Sequence, residues 1–251
     1  MNEFLLIASV VFLYGLLLLW FKLFGKIGVY CFTVFATLAA NIEVLILINA
    51  FGIEMTLGNV LFATTFIATD ILSETEGKEE AKKSVHIGIL TSISFMILSS
   101  SWLFYKPSIN DWAMPSIKTI FSSTPRIIFS SLTVYAIVQR LDVWLYHKIW
   151  KYTEEKSGDK KKFLWVRNNL ATITSQLVNS ILYNVFAFYG TFSNKTLLTV
   201  IVSTFCIGIA TSILDTPVVY IARMIANKKK NTSSDLPLYH NSDTNSYLFR
   251  C

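Results

Sequence analysis

The stretch "ATDILSETEGKEEAKK", Ala68 to Lys83, lies between two apolar runs of membrane-spanning length. Asp70 and Glu74 fall on the last turns of the run before it, and residues four apart share one face of a helix. Glu76, Glu79 and Glu80 follow, mixed with Lys78, Lys82 and Lys83. A second apolar run then begins near Val85. The seam reads as the end of one membrane helix, a cytoplasmic turn, and the start of the next, with Asp70 and Glu74 facing into a cavity.

Working outward, a span needs about 20 mostly apolar residues. Seven stretches meet this: Asn2–Phe21, Ile27–Phe51, Leu57–Ser73, Val85–Tyr105, Arg126–Tyr146, Phe163–Tyr189 and Thr196–Ile225. The links between them are short, as in antiparallel neighbours of a bundle. Composition agrees. Of 251 residues, 53% are apolar and 15% charged, and mean hydropathy is +0.51. Soluble domains carry about 25% charged residues. The fold class is therefore all-α: a polytopic integral membrane helical bundle of about seven transmembrane spans. Residues 1–230 form a single transmembrane domain, and 231–251 read as a flexible polar cytoplasmic tail. The first run has Asn2 and Glu3 before it, no basic leader region, and an apolar core too long for a signal peptide. It reads as a retained span.

Lysine and arginine set the orientation. Lys22 and Lys26, then Lys78, Lys82 and Lys83, then the cluster from Lys148 to Arg167, then Arg223 and Lys228–Lys230 all follow odd-numbered spans. The opposite links hold only Lys106, Lys118, Arg126 and Lys195. This places the N-terminus outside and the C-terminus inside. The sequence pI of about 9.1 is a consequence of topology. Nucleic acid is not an expected partner, because the cations are divided among separate links rather than gathered on one face. Cys31, Cys206 and Cys251 and the histidines at 86, 147 and 240 are widely spaced, so no metal site, disulfide frame or cofactor is expected.

An ionisable side chain inside a span is costly and must face protein or water. Those present mark the candidate site. The second span contributes Asn41, and the third Phe66, Asp70 and Glu74. The fifth opens on Pro125 and Arg126, and near its other end Gln139 and Asp142 share a face. The sixth carries Asn169, Thr172, Gln176, Asn179 and Tyr183, spaced as one stripe of an α-helix. The seventh aligns Thr204, Gly208, Thr211 and Asp215, followed by the helix-weakening Pro217. Lone Asn and Thr residues equally serve as contacts between helices, worth under about 1 kcal/mol each. Glu74 and Asp142, near cytoplasmic ends, are also readable as solvated groups. The candidate substrate-binding set is Asn41, Phe66, Asp70, Glu74, Arg126, Gln139, Asp142, Gln176, Asn179 and Asp215.

Carboxylates accept from N–H edges, and side-chain amides both donate and accept. With Phe66, Phe186, Phe188 and Tyr183 as flat walls, this lining suits a planar, purine-like solute. A proton-coupled or cation site would use the same residue types.

"FIATDILSETEGKEEAKKSVHIGI" resembles the signature of the queuosine-precursor uptake family, also called the vitamin-uptake-like integral membrane family. Asp70, Glu74, Gly77 and Lys82–Lys83 match it, while Glu76 stands where an aromatic residue is usual. "AN" at Ala40–Asn41, "PRIIFSSLTVYAIVQRLDV" at Pro125–Val143, "TSQLVNSILYNVFAF" at Thr174–Phe188 and "LDTPVVY" at Leu214–Tyr220 follow in family order. Asn179 replaces a frequent Asp, and the family's Lys near Gly208 is absent. The resemblance implies a six-span family core with an added N-terminal span. It also implies import of 7-deazaguanine bases (7-cyano-7-deazaguanine, 7-aminomethyl-7-deazaguanine or queuine) across the plasma (inner) membrane for queuosine salvage in tRNA. The expected partners are a nucleobase-like substrate and the lipid bilayer; a coupling proton or ion and a homo-oligomer are both compatible with the sequence. The rival readings are a substrate-capturing subunit of an ATP-driven vitamin importer, a carrier of another nucleobase-like solute, and a membrane enzyme. No G-x-x-x-x-G-K-[ST] phosphate loop occurs, and no nucleophile stands beside a histidine, so an enzyme is not expected.

Overall fold

The computed structural model describes residues 1–122 and 125–234, and their side chains except at 54, 122–128 and 230–234. In chain order it comprises α1 (Asn2–Phe24), α2 (Lys26–Glu43), strands β1 (Leu47–Ala50) and β2 (Ile53–Thr56), α3 (Gly58–Thr75), α4 (Lys78–Trp102), α5 (Met114–Ser122), α6 (Pro125–Ser157), α7 (Leu164–Phe188) and α8 (Asn194–Ser234). The seven long helices correspond in order to the seven apolar runs. Three of them, α1, α4 and Asn194–Lys229 of α8, are long and apolar enough to cross a membrane on composition alone. The others carry buried polar residues, which lower their hydropathy and mark the interior.

The seam at Ala68–Lys83 is tighter than a cytoplasmic turn. The amides of Glu76 and Gly77 both donate to the carbonyl of Leu72, at 2.9 and 2.8 Å, and close α3. Gly77 has φ 97°, a conformation side chains resist. Lys78 already begins α4, so Glu79 and Glu80 sit in its first turn, where a helix N-terminus favours negative charge. They pair with Lys82 and Lys83 one turn on, at 2.8 and 2.6 Å.

Three further boundaries differ from the sequence reading. The second span's helix ends at Glu43, not Phe51. The β-branched and leucine-rich run after it forms an antiparallel hairpin, with Leu47 opposite Thr56 and Ala50 opposite Ile53. Its turn residues, Phe51 and Gly52, both have positive φ, as a two-residue hairpin requires. The fifth helix continues to Ser157, so Lys148, Lys151 and Lys156 ride on its last turns rather than in a link. The short α5, in the connection before α6, was not foreseen.

Helix α3 is the axis of the bundle. It is buried along nearly its whole length and packs against α1, α2, α4, α6 and α8. A helix enclosed on all sides can carry polar groups only where neighbours satisfy them. Helix ends meet as an antiparallel bundle requires. At one end Lys26 pairs with Glu80 at 3.4 Å, and Arg223 donates to the carbonyl of Lys161 at 3.1 Å. At the other, Asn2 donates to the carbonyl of Asn49 at 2.8 Å, joining α1 to the hairpin. Helix α8 runs through Pro217 and past Lys230 to Ser234. Residues 235–251, most of the polar tail, lie outside the described residues.

Candidate functional site

A polar ladder descends one side of α3. At the hairpin end, Asn59 and Phe62 face open space. Below them Gln139 of α6 donates to the Thr65 hydroxyl at 2.5 Å and accepts from that of Thr69 at 3.5 Å. Next comes Asp70, whose Oδ2 accepts from the Thr172 hydroxyl of α7 at 3.2 Å. At the far end Glu74 Oε2 accepts from Arg167 Nη2 at 2.6 Å, Arg167 Nε at 3.1 Å and the Tyr146 hydroxyl at 2.9 Å. Its other oxygen lies 3.4 Å from Arg223 Nε.

Glu74 is therefore not a solvated end group, and it does not share a cavity with Asp70. Its side chain is 2% exposed and that of Arg167 is fully buried. The arginine is further enclosed by aromatic rings, with its guanidinium carbon 4.2 Å from the Trp150 ring centroid and 5.9 Å from that of Tyr146. Arg167 is thus a buried partner and not one of the cytoplasmic link cations that the charge distribution suggests. The signal in the sequence is its place inside the Phe163–Tyr189 run, since an arginine within a span demands a buried partner.

Asp142 and Asp215 are buried with Asp70, all three at 1% exposure or less. Asp215 Oδ1 accepts a short hydrogen bond from Tyr14 of α1. Neither oxygen of Asp142 has a hydrogen-bond partner, nor does Asp70 Oδ1 or Asp215 Oδ2. Asp142 is not a solvated group either. Among the described residues no cluster of His, Cys, Asp and Glu is arranged to hold a metal ion.

The α7 stripe faces inward over its middle. Gln176 and Asn179 are buried, and Asn179 donates to Gln176 Oε1 at 3.4 Å. Gly208 lets α8 approach here: a Cβ at that position would lie 2.8 Å from Gln176 Cβ. Deeper, Asn169 donates to the Thr216 hydroxyl at 2.6 Å.

Three adjoining hollows occupy the hairpin end. One, of about 230 Å³, lies between the hairpin, α7 and α8, and is lined by Asn59, Tyr183, Asn184, Phe188, Phe192 and Thr204, among others. A second, of about 30 Å³, shares Asn59 and Tyr183 with it and adds Phe62, Ser131 and Asn179. A third, of about 20 Å³, shares Phe62 and Ser131 with the second and reaches Asn41 and Ser92. The shared linings set the three side by side as one branched cleft, with most of its space in the first. Tyr183 lines the first two hollows, and its hydroxyl is buried and has no hydrogen-bond partner. Phe188 stacks on Phe192 at 4.8 Å and meets Tyr183 edge-on at 6.1 Å.

The structure thus divides the expected set. Asn41 and Asn179 line the cleft. Gln139, Gln176 and Asp70 lie deeper, with Asp142 and Asp215 beside them. Phe66 is enclosed in an apolar cluster with Val134 and Val138 rather than forming a wall. Phe186 is exposed. The Arg126 side chain lies outside the described residues. Asn59 and Tyr183 belong to the cleft more fully than several residues of that set.

Residues 56–222 match the family model described as "Putative vitamin uptake transporter". The chain is 34% identical over 218 residues to a Bacillus subtilis (strain 168) protein named "Probable queuosine precursor transporter", covering 86% of this chain and 93% of that one. No solved structure matches. On the family match and the 34% identity over most of both chains, together with its apolar helices, this multi-pass membrane protein belongs to the vitamin uptake transporter family.

Proposed function

We propose that the chain imports queuosine precursors, the 7-deazaguanine bases, across the plasma membrane. Seven spans, α1–α4 and α6–α8, cross it with the N-terminus outside and the C-terminus inside. The lysine-rich ends then lie in the cytoplasm, as the positive-inside rule requires, and the hairpin faces outward. The related Bacillus subtilis protein carries a queuosine-precursor name. The observation that carries the reading here is the branched cleft with its unpartnered Tyr183 hydroxyl.

A planar base in this cleft meets aromatic faces from Phe62, Tyr183 and Phe188 and amides from Asn59, Asn179 and Asn184. These amides read a carbonyl and an N–H edge together. Gln139, Gln176 and Asp70 form the floor, where the unpartnered Oδ1 of Asp70 accepts from the donor-rich edge. Below it, the Glu74–Arg167–Arg223 cluster closes the cytoplasmic side. Passage requires that cluster to part while the cleft closes, an alternating exposure of one central site. Asn41 serves the outer mouth.

The test is rescue of a strain that cannot make 7-deazaguanines. Expression of this chain plus one added base restores queuosine in tRNA. Failure with all three bases, from protein present in the membrane, contradicts the proposal.

A further inference from the structure

The layer formed by Asp70, Asp142 and Asp215 has more buried acid than the surrounding groups can balance. Charged and titratable groups surround Asp142 on four helices besides its own. From α3 come Asp70 and Glu74, from α8 Asp215 and from α1 Tyr14. From α7 comes Arg167, which with Arg223 is already engaged by Glu74. On α6 itself Tyr146 donates to Glu74. Arg140 lines a separate surface hollow with Lys78, Lys82 and His86 of α4. So two arginines serve four carboxylates, and both are held at Glu74.

The three remaining acids are not equivalent. Asp70 accepts from Thr172 and Asp215 from Tyr14. Asp142 has no cation and no hydrogen bond of full geometry; the polar group beside it is the Ser175 hydroxyl, itself buried and otherwise unpartnered. An ionised carboxylate with one neutral hydroxyl for company and no cation costs several kcal/mol to bury. A carboxylic acid does not, and its O–H has an acceptor available in Ser175. A metal ion is a poor substitute, because no metal-ligating cluster is present among the described residues. Two independent observations thus converge on one group: an excess of buried carboxylates, and an orphaned acid facing an orphaned hydroxyl.

We infer that Asp142 is the proton-carrying residue of this transporter, holding a proton taken from the outer side in the arrangement seen here and releasing it to the cytoplasm when the Glu74–Arg167 closure parts. The inference rests on the proposed import of 7-deazaguanine bases and adds how it is driven. Proton and base move together inward; nothing else is consumed. Asp142 sits one turn from Gln139, on the α6 face toward α3, so its charge is felt at the floor of the cleft. Loss of the proton adds a further negative charge beside Asp70 and Asp215 and favours separation of the helices.

The experiment uses purified full-length chain in proteoliposomes with radiolabelled queuine or 7-cyano-7-deazaguanine. Wild type accumulates base when the outside is acidic by one pH unit, at least about fivefold above its uptake at equal pH. Asp142→Asn, a fixed neutral mimic, still exchanges labelled for unlabelled base at equal pH but shows no response to the gradient. An interior pH dye reports base-driven acidification in wild type and none in the variant. Accumulation by Asp142→Asn that still follows the pH gradient overturns the assignment. So does wild-type uptake that follows a sodium gradient and ignores pH. If the variant fails to reach the membrane, the wild-type dye signal decides: base-driven acidification, with an infrared carboxylic-acid band that shifts on adding base, supports the proposal, and absence of either overturns it. Failure of wild type to exchange any of the bases contradicts the import reading itself, a result distinct from exchange without gradient response.

Discussion

Arg167 and Glu74 are joined across α7 and α3 by two hydrogen bonds to a single carboxylate oxygen, at 2.6 and 3.1 Å, with both side chains withdrawn from solvent. Tyr146 and Arg223 complete the contact. Removing one partner of a buried pair strands the other charge, at a cost of about 3–5 kcal/mol. Arg167→Ala and Glu74→Ala should each destabilise the protein by about that amount in detergent thermal unfolding. Replacing both with apolar residues of similar volume should recover much of it. The double variant should nonetheless transport poorly, because an apolar plug supplies no charge network to part and re-form. Full stability in either single variant contradicts the buried pairing.

Tyr183→Phe separates binding from folding. Its hydroxyl has no partner, so stability should change little. If the hydroxyl serves the substrate, one neutral hydrogen bond, about 0.5–1.5 kcal/mol, is lost from binding. The KM for uptake should rise roughly threefold to tenfold with little change in melting temperature. An unchanged KM removes Tyr183 from the substrate path.

Gly208→Ala should do the opposite. The added methyl would meet the Gln176 side chain at 2.8 Å, so α7 and α8 must move apart or Gln176 must change rotamer. Overpacking of this kind costs about 1–3 kcal/mol. Both the melting temperature and the apparent affinity should fall, because Gln176 and Asn179 are displaced together. A neutral outcome would show that the two helices do not pack this closely.

Tyr14→Phe tests the contribution of α1. Tyr14 donates to Asp215, and its removal leaves one more carboxylate oxygen without a donor. An unsatisfied buried acceptor costs about 1–3 kcal/mol. Thermal unfolding should report that loss. No loss would show that the first helix is not anchored through this hydrogen bond.

How much of this was legible before the fold was known differs by element. Helices α1, α4 and α8 are unbroken apolar runs, and lipid leaves such a run few alternatives to a helix. The hairpin was hidden because "VLILINA" continues the apolar run of α2, and a short strand reads like helix when judged by hydropathy alone. The α7 stripe could be read because Thr172, Gln176 and Asn179 keep helical spacing on one helix. The pairing of Glu74 with Arg167 could not, because the two are 93 residues apart and which helices meet is decided by packing. Spacing put Asp70 and Glu74 on one face correctly. It could not show that α7 approaches that face with a threonine at one level and an arginine at the next, which gives the two acids different work. For the same reason the cleft is lined by Asn59 and Tyr183, whose importance depends on the hairpin folding over them.

The most direct test of the central claim is uptake of labelled 7-deazaguanine bases by proteoliposomes containing this chain alone. The account predicts saturable uptake of at least one base, blocked by an excess of the unlabelled compound and lost on Asp70→Asn. Uptake no greater than in empty vesicles, from protein shown to be folded and inserted, would contradict it.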